Sequence, residues 1–374
     1  MEILVLFTAN VSLSDWKKNG IINREISLYS KLQKKYRYTL LTYGDNNDYK
    51  FLENSNFNVI PIFSNGKKYL KIIRLLYPVY FVIKNIKNFK KFDLIKSNQL
   101  FGAHLGILIK IIYKCKFICR MGYDPNFFYS QRKKNLLGIF LLKIYSLVIY
   151  YFSDKIIVTT KEMKKFLINN FYQKEKKIYI NPNYVDTSLF SNKPSSKKTI
   201  KKFVTVVRFD DQKNLSFLFR EINIANCRLD VIGPKNDSYK FFNLTKKISK
   251  PTKIRFLGTM DNRSLSNEYK KYDAFILLSK YEGNPKALLE AMSSGMLIVA
   301  SNVSGINNII VNNKNGFLIS FKEGELFSLI NDVNKGKYDL KKIRINAKKF
   351  ILNNHSLIQI AKNEDSIYRS VFRV

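Results

Sequence analysis

The sequence predicts an α/β protein with two parallel, doubly wound sheets, each in a domain of its own. Its length of 374 residues exceeds what one ordinary hydrophobic core accommodates. Short runs rich in β-branched residues alternate with longer helical stretches along the whole chain. A polar stretch at 191–199, SNKPSSKKT, divides this alternation into two series. The apolar content of 46% supports packed domains and excludes a wholly disordered chain.

The first series predicts strands separated by helices at 24–35, 69–85 and 136–152. Strands that alternate with helices form a parallel sheet, because each parallel connection needs a crossover. The predicted strands are 3–8, 38–42, 59–62, 94–97, 116–120, 155–159 and 178–181.

The second series has the same pattern, with helices at 215–221 and 286–294 and a basic helical tail. Its predicted strands are 203–207, 228–232, 253–257, 274–278 and 297–300. Two Rossmann-like domains that face a cleft follow from this pattern, with ligands outside the carboxyl ends of the strands. The predicted boundaries are a first domain at 1–190, a linker at 191–199, a second domain at 200–355, and a helix at 356–374 that packs back on the first domain.

Composition narrows the classes of function. A formal charge of +37, from 65 Lys and Arg against 28 Asp and Glu, favours anionic partners such as phosphorylated substrates, acidic lipids or nucleic acid. With three Cys and two His, the chain predicts buried thiols and excludes a disulfide framework and a His-rich metal centre. The start, MEILVLFTAN, predicts a strand and not a signal peptide. The apolar run at 136–152 is too short to span a bilayer. We therefore expect a cytoplasmic protein that is soluble or peripherally attached to the membrane.

The segment at 279–301, SKYEGNPKALLEAMSSGMLIVAS, carries the clearest chemical signal. Asn284 is suited to cap a helix and Pro285 to occupy its first position. The amides of Lys286, Ala287 and Leu288 then have no partner inside the helix. They predict a site for a phosphate or sugar oxygen at the positive end of the helix dipole.

Two carboxylates flank this helix start. Glu282 precedes the helix, and Glu290 interrupts the apolar run 287–292 in its second turn. Both are suited to accept hydrogen bonds from hydroxyl groups, so a nucleotide sugar is a matching ligand. The alternative is that Glu282 is a solvated loop residue and Glu290 an exposed charge beside Lys286.

A second strand–turn–helix element predicts cations for the same ligand. The strand at 203–207 is followed by Arg208, and the loop runs through Lys213 to a candidate helix cap at Asn214. Two such cations would flank a diphosphate. The alternative is a pair of ordinary surface cations in a basic chain.

These motifs resemble those of the family-four glycosyltransferases, which are retaining enzymes of the two-domain GT-B fold. The resemblance rests on FVTVVRFDDQKNLSFLF, DVIG, IRFLGTM, DAFILLSKYEGNPKALLEAMSSGMLIVASNVSGINNII and NGFLIS, in this order across 203–320. The segment NPNYVDTSLF at 181–190 resembles the family's domain junction. Where the family usually has a Gly-Arg pair at the strand end, this chain has Val207 and Arg208.

The resemblance implies a transfer of a hexose-type sugar from a nucleotide diphosphate to a glycan or lipid-linked acceptor in bacterial surface polysaccharide synthesis. It implies no metal and no cofactor, because cations and a helix terminus act on the diphosphate. Arg208 and Lys213 would bind the diphosphate, Glu282 would hold the transferred sugar, and Glu290 would hold the ribose. The remaining substrate-binding residues would be Gly283, Asn284, Pro285, Lys286, Ala287 and Leu288 at the helix start and Thr259, within 257–260, near the base.

The amino-terminal half departs from the family pattern. The family's usual His after the strand at 116–120 is absent, and Arg120, Tyr123 and Asp124 occupy that region. Asp124 is predicted to touch the sugar or the acceptor; the alternative is a turn residue. His104 lies on a predicted helix face, which favours a structural role.

Two further features of this half concern substrate and membrane. Gly20 is predicted to let the chain approach donor or acceptor closely, and a plain turn is the alternative. Residues 62–144 contain 17 Lys and Arg against two Asp and Glu, interleaved with aromatic residues. This segment predicts an anionic membrane surface as a partner; the alternative is packed helices with a solvated Lys face.

Two other functions remain open from the sequence. A nucleotide-sugar epimerase or hydrolase would use the same scaffold. A basic nucleic-acid-binding protein would explain the net charge, but zinc-finger spacing, an aromatic RNA-binding signature and clustered Arg are missing, so no nucleic acid is expected.

Overall fold

The chain folds into two units in a computed structural model that describes residues 1–52, 55–64, 71–122, 124–129, 136–234 and 253–372. The first unit is Met1–Pro182 together with Ala361–Val374, and the second is Asn183–Ile360. Each unit is an α/β sandwich around its own parallel sheet, as the alternation of strands and helices predicts.

Within the described residues, the sheet of the first unit has seven parallel strands in the order β3-β2-β1-β4-β5-β6-β7. Strands β1 and β6 are buried on both faces, which explains why ILVL and IIV within them are continuous apolar runs instead of alternating ones. Strand β4 is equally buried but contains Lys96 and Ser97. The strands are β1 Glu2–Leu6, β2 Arg37–Thr42, β3 Phe57–Pro61, β4 Leu94–Ser97, β5 Lys116–Met121, β6 Lys155–Val158 and β7 Ile178–Ile180.

Helices connect these strands on the two faces of the sheet. Helix α7 has the bounds that its apolar pattern predicts, and α2 begins two residues and ends three residues before the predicted positions. Helix α4 ends one residue before its predicted end, and the predicted helical positions 69 and 70 lie outside the described residues. The described helices are α1 Leu13–Lys18, α2 Ile22–Leu32, α3 Asn47–Lys50, α4 Lys71–Lys84, α5 His104–Tyr113, α6 Pro125–Tyr129, α7 Leu136–Phe152 and α8 Lys161–Phe171.

The described part of the second unit contains a parallel sheet of six strands in the order β10-β9-β8-β11-β12-β13. Five of them correspond to predicted strands. The sixth, β13, was not predicted. The strands are β8 Lys202–Val206, β9 Arg228–Ile232, β10 Ile254–Gly258, β11 Ala274–Leu277, β12 Leu297–Ser301 and β13 Phe317–Ile319.

Helices of the second unit cover its sheet, and the last helix of the chain leads back into the first unit. They are, among the described residues, α9 Leu215–Ile224, α10 Asn262–Tyr269, α11 Lys286–Ser293, α12 Glu325–Asn334, α13 Leu340–Asn354 and α14 Leu357–Phe372.

The order of strands in the second unit places its ligand-binding edge. The first strand, β8, pairs with β9 on one side and with β11 on the other. The chain therefore continues from β8 to β9 on one side and later returns to β11 on the other side. The boundary between β8 and β11 is thus a topological switch point. Crevices at such points, outside the carboxyl ends of the strands, are where open parallel sheets bind ligands.

The segment at 191–199, predicted to be a linker, lies within the second unit and does not separate the units. Its Lys197 ammonium contacts Asp273 Oδ1 at 2.7 Å. The buried Arg344 guanidinium donates to the carbonyl oxygens of Ser195 (3.0 Å) and Lys197 (2.9 Å). Its composition resembles a linker, but these contacts hold it against the sheet, so the boundary falls earlier, after Pro182.

The carboxyl-terminal helix is joined to the first unit by a buried ion pair. Lys96 on β4 contacts Glu364 on α14, and both side chains are fully buried. The Asn181 amide donates to the other Glu364 oxygen at 2.6 Å, and the Lys96 ammonium lies 4.8 Å from the centroid of the Tyr29 ring. Burial alone would raise the pKa of Glu364, but the Lys96 charge holds it below its ordinary value.

Candidate functional site

Two loops meet at the switch point of the second unit. The loop after β8 forms a short 3₁₀ turn, Asp211–Lys213, which the Asp210 side chain caps by accepting from the Lys213 amide. The loop after β11 lies against it, because the Lys280 amide donates to the Gln212 carbonyl at 2.8 Å. The Gln212 side chain donates to the Tyr281 carbonyl at 2.9 Å. These bonds fix the positions of Lys213 and of the residue that follows Tyr281.

That residue, Glu282, is the centre of the site. Its Oε1 accepts from the Lys213 ammonium and from the Ser279 hydroxyl, both at 2.6 Å. Its Oε2 lies 3.4 Å from the Gln212 amide nitrogen. Glu282 is 5% exposed, which excludes the alternative of a solvated loop residue. A buried carboxylate with cationic and neutral donors around it is a rigid, polar anchor.

Gly305, in the loop after β12, holds the Glu282 backbone from the other side. It has φ +85°, and a Cβ there would lie 2.1 Å from the Glu282 carbonyl oxygen and 2.4 Å from that of Gly283. The Glu282 amide also donates to Ser304 O at 3.3 Å. Three loops at the carboxyl edge, after β8, β11 and β12, therefore converge on Glu282.

We expect Gly305→Ala to lower the free energy of unfolding by about 3 kcal/mol, from the left-handed backbone and the clash together. Gly336→Ala is the matched control, since Gly336 has φ +78° with nothing within 4 Å of its Cβ position. That control should cost about 1 kcal/mol, the backbone term alone. Urea unfolding of both variants measures the difference, and equal losses would contradict the close approach.

Helix α11 begins differently from the sequence prediction. Pro285, in extended conformation with ψ 110°, precedes the helix, and the Asn284 side chain does not cap it. Instead Asn284 Oδ1 accepts from the Asn183 amide at 2.9 Å, and the Asn183 side chain donates to the Asn284 carbonyl at 2.6 Å. A partner 101 residues away in the chain cannot be read from a local capping pattern.

The amides at the start of α11 keep the predicted arrangement. The helical ladder begins with the Leu289 amide, which donates to the Pro285 carbonyl at 3.3 Å. The amides of Lys286, Ala287 and Leu288 come before that bond, at the positive end of the helix.

Glu290 lies in the second turn of α11 and is 2% exposed. The alternative of an exposed helix charge is therefore wrong. Its burial explains why it interrupts an apolar run, since it points into the unit instead of into solvent.

Arg208 is connected to this cluster only indirectly among the described contacts. Its guanidinium lies 3.4 Å from Asp210 Oδ2, and its side chain is 73% exposed. Asp210 in turn accepts from the Lys213 amide at 3.2 Å. The structure thus brings Lys213 and Glu282 into direct contact and leaves Arg208 exposed beside Asp210.

Thr259 is exposed and follows β10, two strands from β8 in the sheet. Glycine at position 233 allows the ends of β8 and β9 to approach closely, because a Cβ on Gly233 would lie 2.2 Å from the Val207 carbonyl oxygen. The Gly233 amide donates to the Gly258 carbonyl at 3.0 Å. Thr259 is therefore on the same carboxyl edge as Lys213, although no described contact joins the two.

The predicted substrate role of Asp124 in the first unit is not supported by its surroundings. Asp124 is fully buried. Its carboxylate accepts from Tyr150 Oη and from the backbone and side-chain nitrogens of Asn126 (2.7 and 3.0 Å). Burial raises the pKa of Asp124, and these bonds oppose that rise. It connects α6 to α7, and we assign it a packing role.

Of the remaining candidate residues of the first unit, the structure describes Gly20 and His104. Tyr123 lies outside the described residues. Gly20 has φ +67° after α1, and its amide donates to Lys17 O at 3.0 Å, which fits the turn alternative. His104 has the structural setting that was expected: its Nδ1 lies 3.0 Å from Tyr145 Oη, and burial lowers its pKa.

The cysteines are buried free thiols, as predicted. Burial raises the pKa of Cys119 to about 12 and those of Cys115 and Cys227 to about 11, so all three are protonated near neutrality. None of the described helices combines the length and apolarity needed to cross a bilayer.

The sequence interpretation missed four residues that shape the site: Gln212, Ser279, Asn183 and Asp210. Each lies within three residues of a predicted member or, for Asn183, in the segment that resembles the family's junction. The signal that could have identified Gln212 and Ser279 is a polar residue close in sequence to a charged candidate. Asn183 could be identified only from the tertiary structure.

Two family models match the chain in succession. Residues 20–189 match the model described as Glycosyltransferase Family 4, and residues 186–350 match Glycosyl transferases group 1. Together they cover most of both units, including Lys213 and Glu282.

Several known proteins are similar to this chain. An Escherichia coli UDP-Gal:alpha-D-GlcNAc-diphosphoundecaprenol alpha-1,3-galactosyltransferase is 25% identical over 72% of this chain and 72% of its own. The Staphylococcus aureus capsular polysaccharide biosynthesis glycosyltransferase CapH is 26% identical over 63% of this chain and 66% of its own. The crystal structure of Anabaena HepE in complex with UDP has the same fold, with a TM-score of 0.76, 16% identity and coverage of 99% of this chain and 100% of that one.

Proposed function

Since the chain belongs to the group 1 glycosyltransferases of family 4, we propose that it is a retaining, metal-independent hexosyltransferase that uses a nucleotide-diphosphate sugar as donor. The observation that carries this proposal is the contact of Lys213 with Glu282 at the switch point of the second sheet. A cation suited to phosphate beside a carboxylate suited to sugar hydroxyls, at the edge where a parallel sheet binds its ligand, supports this proposal.

Lys213 and Arg208 act on the diphosphate. When the bond between sugar and phosphate breaks, the leaving diphosphate gains negative charge, and fixed cations lower the energy of that state. The Lys213 ammonium has three donors, of which one is directed at Glu282, so it binds a phosphate oxygen without leaving the carboxylate. Arg208, being exposed, is able to swing from Asp210 onto the second phosphate.

Glu282 and the start of α11 act on the sugar. The carboxylate accepts hydrogen bonds from sugar hydroxyls, and the backbone from Gly283 to Leu288 presents atoms to sugar and phosphate. Glu290 accepts from the ribose hydroxyls, and Thr259 lies near the base. The cations and the helix terminus together supply the positive charge that a metal ion supplies elsewhere, so we propose that no metal or cofactor takes part.

For the acceptor we propose a glycan or lipid-linked saccharide of bacterial surface polysaccharide synthesis, whether capsule, O-antigen or lipopolysaccharide. Support comes from the similar E. coli and S. aureus proteins, whose names specify a diphosphoundecaprenol-linked acceptor and capsule synthesis. A cytoplasmic enzyme would meet such an acceptor at the inner membrane face. We therefore propose that residues 62–144, with 17 cations and two acidic residues, attach the first unit to anionic lipid.

A panel of nucleotide sugars tests the proposal. We expect one donor to raise the melting temperature, and its transfer to acceptor to proceed undiminished in the presence of a chelator and to keep the anomeric configuration. Stabilisation by none of the donors would contradict the site. Donor consumption that yields free sugar or an epimer whether or not acceptor is present would assign the chain to the hydrolase or epimerase alternative.

A further inference from the structure

Helix α7 presents an apolar face to solvent along its whole length. Three of its 17 residues are buried: Ser146, Ile149 and Tyr150. Its exposed large side chains are 36–83% accessible and lie at helical spacing, so they form one continuous stripe. They are Leu136, Leu137, Phe140, Leu141, Ile144, Leu147, Val148 and Tyr151. Soluble proteins rarely expose so long an apolar stripe to solvent.

The two helices beside α7 extend this surface. α5 packs against both α4 and α7. The chain crosses from β3 to β4 to β5 to β6 in one direction, so right-handed connections put α4, α5 and α7 on the same face of the sheet. α4 and α5 also expose large apolar side chains, namely Leu76, Tyr80, Ile83, Ile111 and Ile112.

Exposed cations flank this layer. Among the described residues, Lys84 ends α4, Lys114 follows α5 and Lys143 lies on α7, and all three are exposed. Lys110 on α5 is paired with Asp154, and Asp124 is fully buried, so neither acidic residue adds unpaired negative charge to this face. Apolar side chains flanked by exposed cations complement the headgroups and acyl chains of an anionic bilayer.

We propose that the outer face of α4, α5 and α7 lies in the interfacial layer of an anionic membrane, with the stripe of α7 inserted among the acyl chains. This inference rests on the membrane attachment proposed above and identifies the element that makes it. A second copy of this face would bring cations against cations, so self-association does not fit the charge. A 17-residue helix lying in the membrane plane needs no span of the bilayer.

Vesicle sedimentation with matched variants tests the inference. The stripe variant Leu137→Gln/Leu141→Gln/Ile144→Gln should lower partitioning onto vesicles of phosphatidylglycerol and phosphatidylethanolamine at least about tenfold. The control Phe327→Gln/Ile345→Gln/Leu352→Gln removes three side chains of the second unit that are each 45% exposed. It should bind like the unchanged chain. Phosphatidylcholine vesicles and raised salt should weaken binding of the unchanged chain, since the cations are screened.

A fluorescence experiment reads insertion directly. The chain has one tryptophan, Trp16, which is buried and stacked on Phe7 with ring centroids 4.2 Å apart. In Phe140→Trp, the added indole should shift to shorter wavelength with anionic vesicles and be quenched by brominated acyl chains. The signal of the unchanged chain should stay constant, because Trp16 is in the core.

The outcomes separate this inference from the proposed transferase activity. Absence of vesicle binding, equal binding by the stripe variant, or a dimer that the stripe variant dissociates would overturn it. Donor-induced stabilisation should be the same in the stripe variant and the unchanged chain, since Lys213 and Glu282 are not altered. Loss of donor binding in all proteins would instead contradict the proposed function and leave the vesicle result standing.

Discussion

Lys213→Met is expected to lower kcat/KM for the nucleotide-sugar donor by about 10²- to 10³-fold, the size of effect seen when one fixed charge-stabilising group is removed. Lys213 contacts Glu282 at 2.6 Å, and the side chains are 12% and 6% exposed. The variant therefore removes the cation nearest to the proposed diphosphate and also leaves Glu282 without its charged partner. Steady-state kinetics with the donor found by the thermal-shift panel measure the effect.

Matched variants separate this role from a general loss of charge. Lys280→Met removes an exposed cation from the same loop system and should change kcat/KM less than about twofold. Glu282→Gln should lower kcat/KM strongly, and the double variant should lose much less than the product of the two single effects, because the two groups act as a unit. Independent, multiplicative effects, or an unaffected Lys213→Met enzyme, would argue against the proposed site.

Lys96→Met should destabilise the first unit by about 3–5 kcal/mol, the cost of leaving a buried charge without its partner. Lys96 and Glu364 are both fully buried, and after the substitution Glu364 loses the cation in contact with it and keeps the Asn181 amide and the Arg120 charge. Because this pair joins β4 to α14, the carboxyl-terminal helix should loosen first. Urea unfolding and hydrogen exchange of α14 amides measure both effects.

A double-mutant cycle isolates the pair. Lys96→Met/Glu364→Gln removes both charges and keeps an acceptor for Asn181, so it should cost less than Lys96→Met alone. Arg37→Met serves as the control, since its ion pair with Glu2 at 3.4 Å is exposed on the Arg side, and it should cost less than about 1 kcal/mol. Additive losses in the cycle would show that the ion pair does not join the helix to the sheet.

The sequence was sufficient for features that depend on local pattern. The observed bounds of β4, β9 and α7 match those predicted from their largely apolar runs. The sequence also assigned Lys213 and Glu282 to loops that follow strands, and the structure shows that these strands, β8 and β11, are neighbours in the sheet.

Features that depend on distant partners could not be predicted. Asn284 is a residue type suited to cap a helix, yet its Oδ1 accepts a hydrogen bond from the Asn183 backbone amide. The segment at 191–199 has the composition of a linker, yet Asp273 and Arg344 hold it against the second sheet. Asp124 was expected to contact a substrate, but its buried carboxylate accepts a hydrogen bond from Tyr150 on α7.

The sequence by itself determined the order of strands and helices, the division into two sheets and the loops that carry the site charges, because periodicity and turn chemistry act over a few residues. Only the tertiary structure decided which charges are paired and which face stays uncovered. Lys96 meets Glu364 across 268 positions of the chain, and α7 keeps its apolar stripe in solvent. Both outcomes depend on how the helices pack on the sheet, and the free energy of burying or exposing a group is set by that packing.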